Sequence, residues 1–324
     1  MKLANVQGRA VLVLDDSSER RDTQDVQRGV DVAAASGGAF GSSPPDVYAR
    51  WSEFCAWATG DVFERNWSEI PEEARVVFDR ADLHCPSPAP RQIFAIGRNY
   101  NEGPQAGGGA LPEGLPPTFT KFVSALAGAE TTVALPAGGR TDWEVELVVV
   151  IGQEVRDVDP EDAWTVVAGV SVGQDLSERD SQMSGAVPQF SLGKSFPGFA
   201  PVGPWLVTTD DLDDPDDLQI GCAIDGEVVQ AGRTTSMILP VRHLIARLSR
   251  IVTLYPGDLI FTGTPAGVGQ HRNPRRFLLP GQQLRSWISQ IGEIHQHFTS
   301  SSVENHESAS EQDADQLLGT GARR

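Results

Sequence analysis

The stretch "TDWEVELVVVIG", residues Thr141 to Gly152, decides how the second half of this chain folds. Leu147, Val148, Val149, Val150 and Ile151 form a β-branched apolar run, the pattern of a strand buried on both faces. Glu144 and Glu146 stand two residues apart directly ahead of it. Side chains alternate along a strand, so these two share one face, roughly 7 Å apart. Like charges held at the mouth of a buried strand repel, and a proton or a cation must compensate them. The alternative is a solvated polar start to an ordinary strand.

The bulk numbers narrow the classes. With 40% hydrophobic and 22% charged residues, the 324-residue chain reads as a soluble globular protein of one large domain or two modest ones. No run reaches the roughly 18 apolar residues of a membrane span, and the N-terminus lacks the pattern of a secretory signal. Cys55, Cys85 and Cys222 are odd in number and widely spaced, which fits reduced thiols and a cytoplasmic setting. The net charge of −18 argues against nucleic acid as a partner, since phosphate neutralisation needs clustered Lys and Arg. An acidic protein that takes an anionic substrate needs a metal or local cations to hold it.

Residues 1–85 read as a small N-terminal α/β unit. "RAVLVLDD" is a strand, "GVDVAAASGG" a strand or turn, and "PPDVYARWSEFCAWATG" has helical spacing with Pro45 and Asp46 at its start and Gly60 at its end. Residues 86–92 form a Pro-rich linker. From 93 to 298 short β runs alternate with Gly, Pro and Asp, and "PVRHLIARLSRIVTLYPGD" supplies one amphipathic helix, which makes the class α+β. "GPQAGGGALPEG", 103–114, is a lid or insert, and 299–324 is a disordered acidic tail.

A second β run, "TVVAGVSVGQDLSERDSQ", delivers Asp175 at its end, followed by Arg179 and Gln182. Glu144, Glu146 and Asp175 make a hard-oxygen donor set suited to Mg²⁺ or Mn²⁺, with Ca²⁺ the larger alternative. Zinc fits poorly, because no His or Cys lies near any of the three. "SLGKSFPGFAPVGPW" holds a lone lysine, Lys194, in a largely apolar stretch, either a substrate-oxygen donor or a surface lysine. "GDLIFTGTPAGVG" ends a strand in small residues, either a ligand-approach turn at Gly263 and Thr264 or a tight structural turn.

Together, "IFAIGRNY", "TFTKF", "DWEVELVVVIG", "GQDLSERDSQ", "SLGKSFPGFAPVGPW" and "SRIVTLYPGDLIFTGTPAGVG" closely resemble the fumarylacetoacetate hydrolase family, in its acylpyruvase and 2-hydroxyhepta-2,4-diene-1,7-dioate isomerase-like branch. The resemblance implies a mixed β-roll and a homodimer. It implies a divalent cation on Glu144, Glu146 and Asp175, a catalytic lysine at Lys194, and substrate contacts at Arg179, Gln182, Gly263 and Thr264. It also implies 2-oxo or 1,3-dioxo acid substrates whose oxygens chelate the cation while an enolate forms.

One departure stands out. Hydrolytic members carry Asn-Tyr-x-x-His-x-x-Glu after the first strand, the His activating water. Here Asn99 and Tyr100 are present, but Gly103 and Ala106 take the dyad positions, and Glu102 or Glu113 is the substitute base. Three readings follow: a C–C hydrolase or lyase with a substitute base, an isomerase, tautomerase or decarboxylase of oxo-acids, or a binding protein without turnover.

Overall fold

A computed structural model describes residues 1–14, 26–59, 69–101 and 111–301. The sheet-dominated reading holds: the described residues form a mixed, mostly antiparallel β structure in which Val241–Ile251 is the longest α-helix. The helix starts after Pro240 and buries Val241, Leu244, Ile245 and Leu248, while Ile251, expected on the same apolar side, is exposed at its last turn.

Val145–Ile151 lies deep in the larger sheet and is buried at every position. It pairs antiparallel with Val167–Gln174 on one side and Leu259–Phe261 on the other. Two covered faces explain the unbroken apolar run of the sequence. Beyond Val167–Gln174 the sheet continues through Ala200–Val207; beyond Leu259–Phe261 it continues through Ile93–Ile96 to Thr118–Thr120. A second sheet of five strands is bridged to the first by the Gln174 amide, which donates to the Ser286 hydroxyl at 2.8 Å.

Residues 1–85 add their strands to the larger sheet. Lys2–Val6 pairs antiparallel with Ala200–Val207, and Arg9–Leu14, Gln27–Asp31 and Arg75–Phe78 extend it outward. Buried side chains from both regions form one continuous core. The expected helix in "PPDVYARWSEFCAWATG" is two helices, Pro44–Tyr48 and Trp51–Trp57, because Arg50 leaves the helical conformation. "GVDVAAASGG" carries the strand Gln27–Asp31 and then a short helix, Val32–Ala35, whose Ala34 amide is capped by the Asp31 carboxylate. The strand Gly292–Ser300 continues past the expected start of the tail and pairs with Glu130–Leu135. Residues 302–324 and 103–110, the tail and most of the glycine-rich insert, lie outside the described residues.

Candidate metal centre

Two strand ends meet at the site. Val145–Ile151 and Val167–Gln174 pair with Val145 opposite Gln174, so Glu144 and Asp175 leave the ladder side by side. The Asp175 amide donates to the Glu144 carbonyl at 2.9 Å, fixing that exit. Ligand oxygens of Glu144, Glu146 and Asp175 all lie within 4.8 Å of one another, and Glu146 and Asp175 are buried.

A neighbouring turn completes the floor. After the strand Leu259–Phe261, the Thr262 hydroxyl and amide both donate to the Leu147 carbonyl. Gly263 follows at φ +102°, where an added Cβ would sit 2.7 Å from that of Asn99, so glycine is required by both conformation and space. Its amide donates to the Glu146 carboxylate at 2.7 Å. The Thr264 hydroxyl donates to the Val145 carbonyl and accepts from the Gln230 amide. Gly263 and Thr264, which the resemblance marks as substrate contacts, are thus joined to the glutamate-bearing strand.

Three cations surround the carboxylates. The Lys194 ammonium donates to Glu144 Oε2 at 2.7 Å and Asp175 Oδ2 at 2.6 Å. Lys121 donates to Asp175 Oδ1 at 2.5 Å and to the Lys194 carbonyl. Arg179 opens a short helix, Arg179–Gln182, whose first amides are capped by the Glu178 carboxylate. Its guanidinium donates to Glu144 Oε1 at 2.6 Å, to Asp142 Oδ2 at 2.7 and 3.0 Å, and to Gln182 Oε1 at 2.9 Å. Lys194 is therefore no surface lysine; it is 2% exposed and its charge is committed to two carboxylates.

Charge bookkeeping follows from the geometry. With every group ionised, Asp142, Glu144, Glu146 and Asp175 face Lys121, Lys194 and Arg179, leaving one negative charge uncompensated. Burial opposes the charge on Glu144, but Lys194 and Arg179 outweigh it and pull its carboxyl down to about 2. Burial, Asp175 and Glu144 push Glu146 well above the carboxylate range. Burial also lowers Lys121, aided by Lys194, while Asp175 and Glu144 overcome burial to raise Lys194. The Tyr100 hydroxyl is buried near Glu146 without a hydrogen-bond partner among the described residues. Three hard oxygens, a residual negative charge and an orphaned hydroxyl fit a divalent cation and its ligand sphere.

Sequence reading missed two members. Lys121 was visible only as a lysine between Phe119 and Phe122 in "TFTKF". Asp142 is fully buried and accepts from Trp143, Gly269 and Gln270 amides as well as from Arg179. Its only sequence signal was an acid beside the glutamate pair. Glu102, the substitute base, lies outside the described residues, and Glu113 is exposed.

The family model for the fumarylacetoacetate (FAA) hydrolase C-terminal region matches residues 92–299. Over 211 residues, 65% of this chain and 67% of the relative, 42% are identical to the human mitochondrial oxaloacetate tautomerase FAHD2A. A Mycobacterium smegmatis crystal structure carrying an HpcE designation superposes with a TM-score of 0.80 at 50% identity, covering 93% of this chain and all of that one. The maleylpyruvate hydrolase of Sphingobium sp. SYK-6, solved with manganese(II) and pyruvate, superposes at 0.69 with 27% identity, covering 93% of this chain and 99% of that one.

Proposed function

The chain belongs to the fumarylacetoacetate hydrolase family, and we propose that it is a divalent-cation-dependent enzyme that interconverts the keto and enol forms of a small 2-oxo dicarboxylate such as oxaloacetate. The observation that carries this reading is the buried trio Glu144, Glu146 and Asp175 ringed by Lys121, Lys194 and Arg179. Mg²⁺ or Mn²⁺ held by the trio would polarise the 2-oxo oxygen and turn the site's residual charge positive.

The chain's own residues supply the rest. A C3 proton leaves to a base while the C2 oxygen gains one, so the substrate's atoms are conserved. Lys194 Nζ, beside Glu144 and Asp175, donates to the C2 oxygen as negative charge develops there. Arg179 fixes the Glu144 carboxylate from the far side. Glu102 is the proposed base on sequence grounds. No attacking water has to be activated, which suits a chain with no histidine between His84 and His243. Relatives named oxaloacetate tautomerases support the same choice.

The test is oxaloacetate keto–enol exchange followed by enol absorbance with Mn²⁺, with a chelator, and in Glu146→Ala. Exchange identical in all three would overturn the proposal. C–C hydrolysis is the second reading, favoured by the likeness to maleylpyruvate hydrolase; rapid cleavage of acetylpyruvate by the same protein would establish it instead. The cysteines are free, which keeps the cytoplasm as the proposed compartment. A homodimer is proposed because Phe122, Val123 and Leu192 leave apolar surface exposed beside the site; light scattering showing a monomer at working concentration would refute it.

A further inference from the structure

At the other end of the strand Val145–Ile151 lies a second feature. Gly152 lines a cavity of about 650 Å³ between the helices at residues 44–57 and the end of this interior strand. The five strand residues Leu147 to Ile151 separate it from Glu146, roughly 20 Å over the six steps of an extended chain. The volume falls in the range of small-molecule sites, which favour seams between structural units.

Its lining mixes charged, polar and small residues with three aromatic ones, Tyr48, Trp51 and Tyr255. Tyr48 and Trp51 stack with centroids 5.5 Å apart, and Tyr255 stands in the same lining. A Cβ on Gly152 would meet Trp51 Cδ1 at 2.7 Å, so only glycine lets the indole lie against the strand end. The polar valences are largely spent within the protein: the Tyr48 hydroxyl donates to the Pro86 carbonyl, the Ser87 hydroxyl to Gly257, and Arg50 pairs with Glu53.

What is left is specific. The Arg91 guanidinium sits over the Tyr255 ring at 4.3 Å and has no carboxylate partner among the described residues. The Trp51 indole N–H likewise has no acceptor there. Glu154 is the lining carboxylate without a cation partner among those residues, and it would repel a second negative charge on a ligand. We propose that this cleft is a second binding site, separate from the carboxylate cluster, for a planar aromatic monocarboxylate. Arg91 takes the carboxylate through its planar fork. The indole N–H supplies a second donor, and the edges of Tyr48 and Trp51 that line the cleft, with Tyr255, flank the ring. Oxaloacetate, with two carboxylates and no apolar body, fits the first site and not this one.

Benzoate is the probe, titrated calorimetrically into the full chain and into Arg91→Ala, Trp51→Phe and Glu146→Ala. Saturable binding should weaken roughly ten- to hundredfold in Arg91→Ala, as expected for a lost charge-assisted bond. It should weaken less in Trp51→Phe and stay unchanged in Glu146→Ala. Arg91 is exposed, so an unaltered thermal melt will show that its variant is folded. The proposal is overturned if benzoate fails to saturate at millimolar concentration, or binds Arg91→Ala as tightly as the parent. Loss of binding in Glu146→Ala would assign the ligand to the first site, and equal competition by benzamide or inorganic phosphate would remove the carboxylate or the ring from the argument.

Discussion

Glu146 is surrounded by Asp175, Glu144 and burial, each of which disfavours its charge, with Lys194 and the Gly263 amide in partial opposition. Removing that charge should relieve repulsion in the metal-free protein while removing a ligand. Glu146→Gln is therefore expected to melt no lower than the parent without metal, yet to lose the stabilisation that Mn²⁺ gives the parent, about 2.7 kcal/mol at a hundredfold excess over Kd. Thermal melts with Mn²⁺ and with chelator read both effects, and a variant still raised by Mn²⁺ would remove Glu146 from the ligand set. Lys194 is expected to behave oppositely. It competes for Glu144 and Asp175 oxygens, so Lys194→Ala should not weaken Mn²⁺ binding but should weaken oxalate by about 1–3 kcal/mol; calorimetry with each ligand separates the two. Asp142 acts one step further back, holding Arg179 against Glu144. Asp142→Ala leaves a buried guanidinium half-compensated and should cost roughly 3–5 kcal/mol in a urea unfolding experiment. A cost below 1 kcal/mol would mean that Glu144 alone suffices.

At the scale of the element, the turn Thr262–Thr264 does what no single ligand residue does. It ties the end of Leu259–Phe261 to Leu147 and presents one amide to Glu146. Asn99 braces it from behind, its side-chain amide donating to the Thr262 and Leu239 carbonyls. Gly263→Ala forces a side chain into a left-handed conformation and against Asn99, a strain of about 1–3 kcal/mol. The expected result is lower stability together with weaker Mn²⁺ binding, since the Glu146 carboxylate loses its fixed donor. Unchanged metal affinity in a destabilised variant would show that the turn supports the fold and not the site.

Over the whole molecule the decisive contact is the ladder between Lys2–Val6 and Ala200–Val207. Deleting residues 1–85 would strip a paired strand from the sheet and bare the edge of Ala200–Val207, together with the face that Leu3, Leu12, Phe54 and Leu83 cover. The shortened protein should aggregate. A fragment that stays in the supernatant, melts like the parent and binds Mn²⁺ would show that residues 86–324 fold without the N-terminal strands. The sequence by itself determined the β-rich class, the buried strand behind Glu144 and Glu146, and the hard-oxygen chemistry of the trio. Those features depend on side-chain periodicity and donor type, which are local. Only the tertiary structure decided that Asp175 exits beside Glu144, that Lys121, just past the strand Thr118–Thr120 and 54 residues from Asp175 in sequence, arrives beside it, and that Asp142 holds Arg179. Each of these depends on strand register and on which loops pack over the strand ends, and register is set by cross-strand pairing between distant segments. The same reason hid the cleft at Gly152, whose walls come from segments around residues 50, 90, 152 and 255.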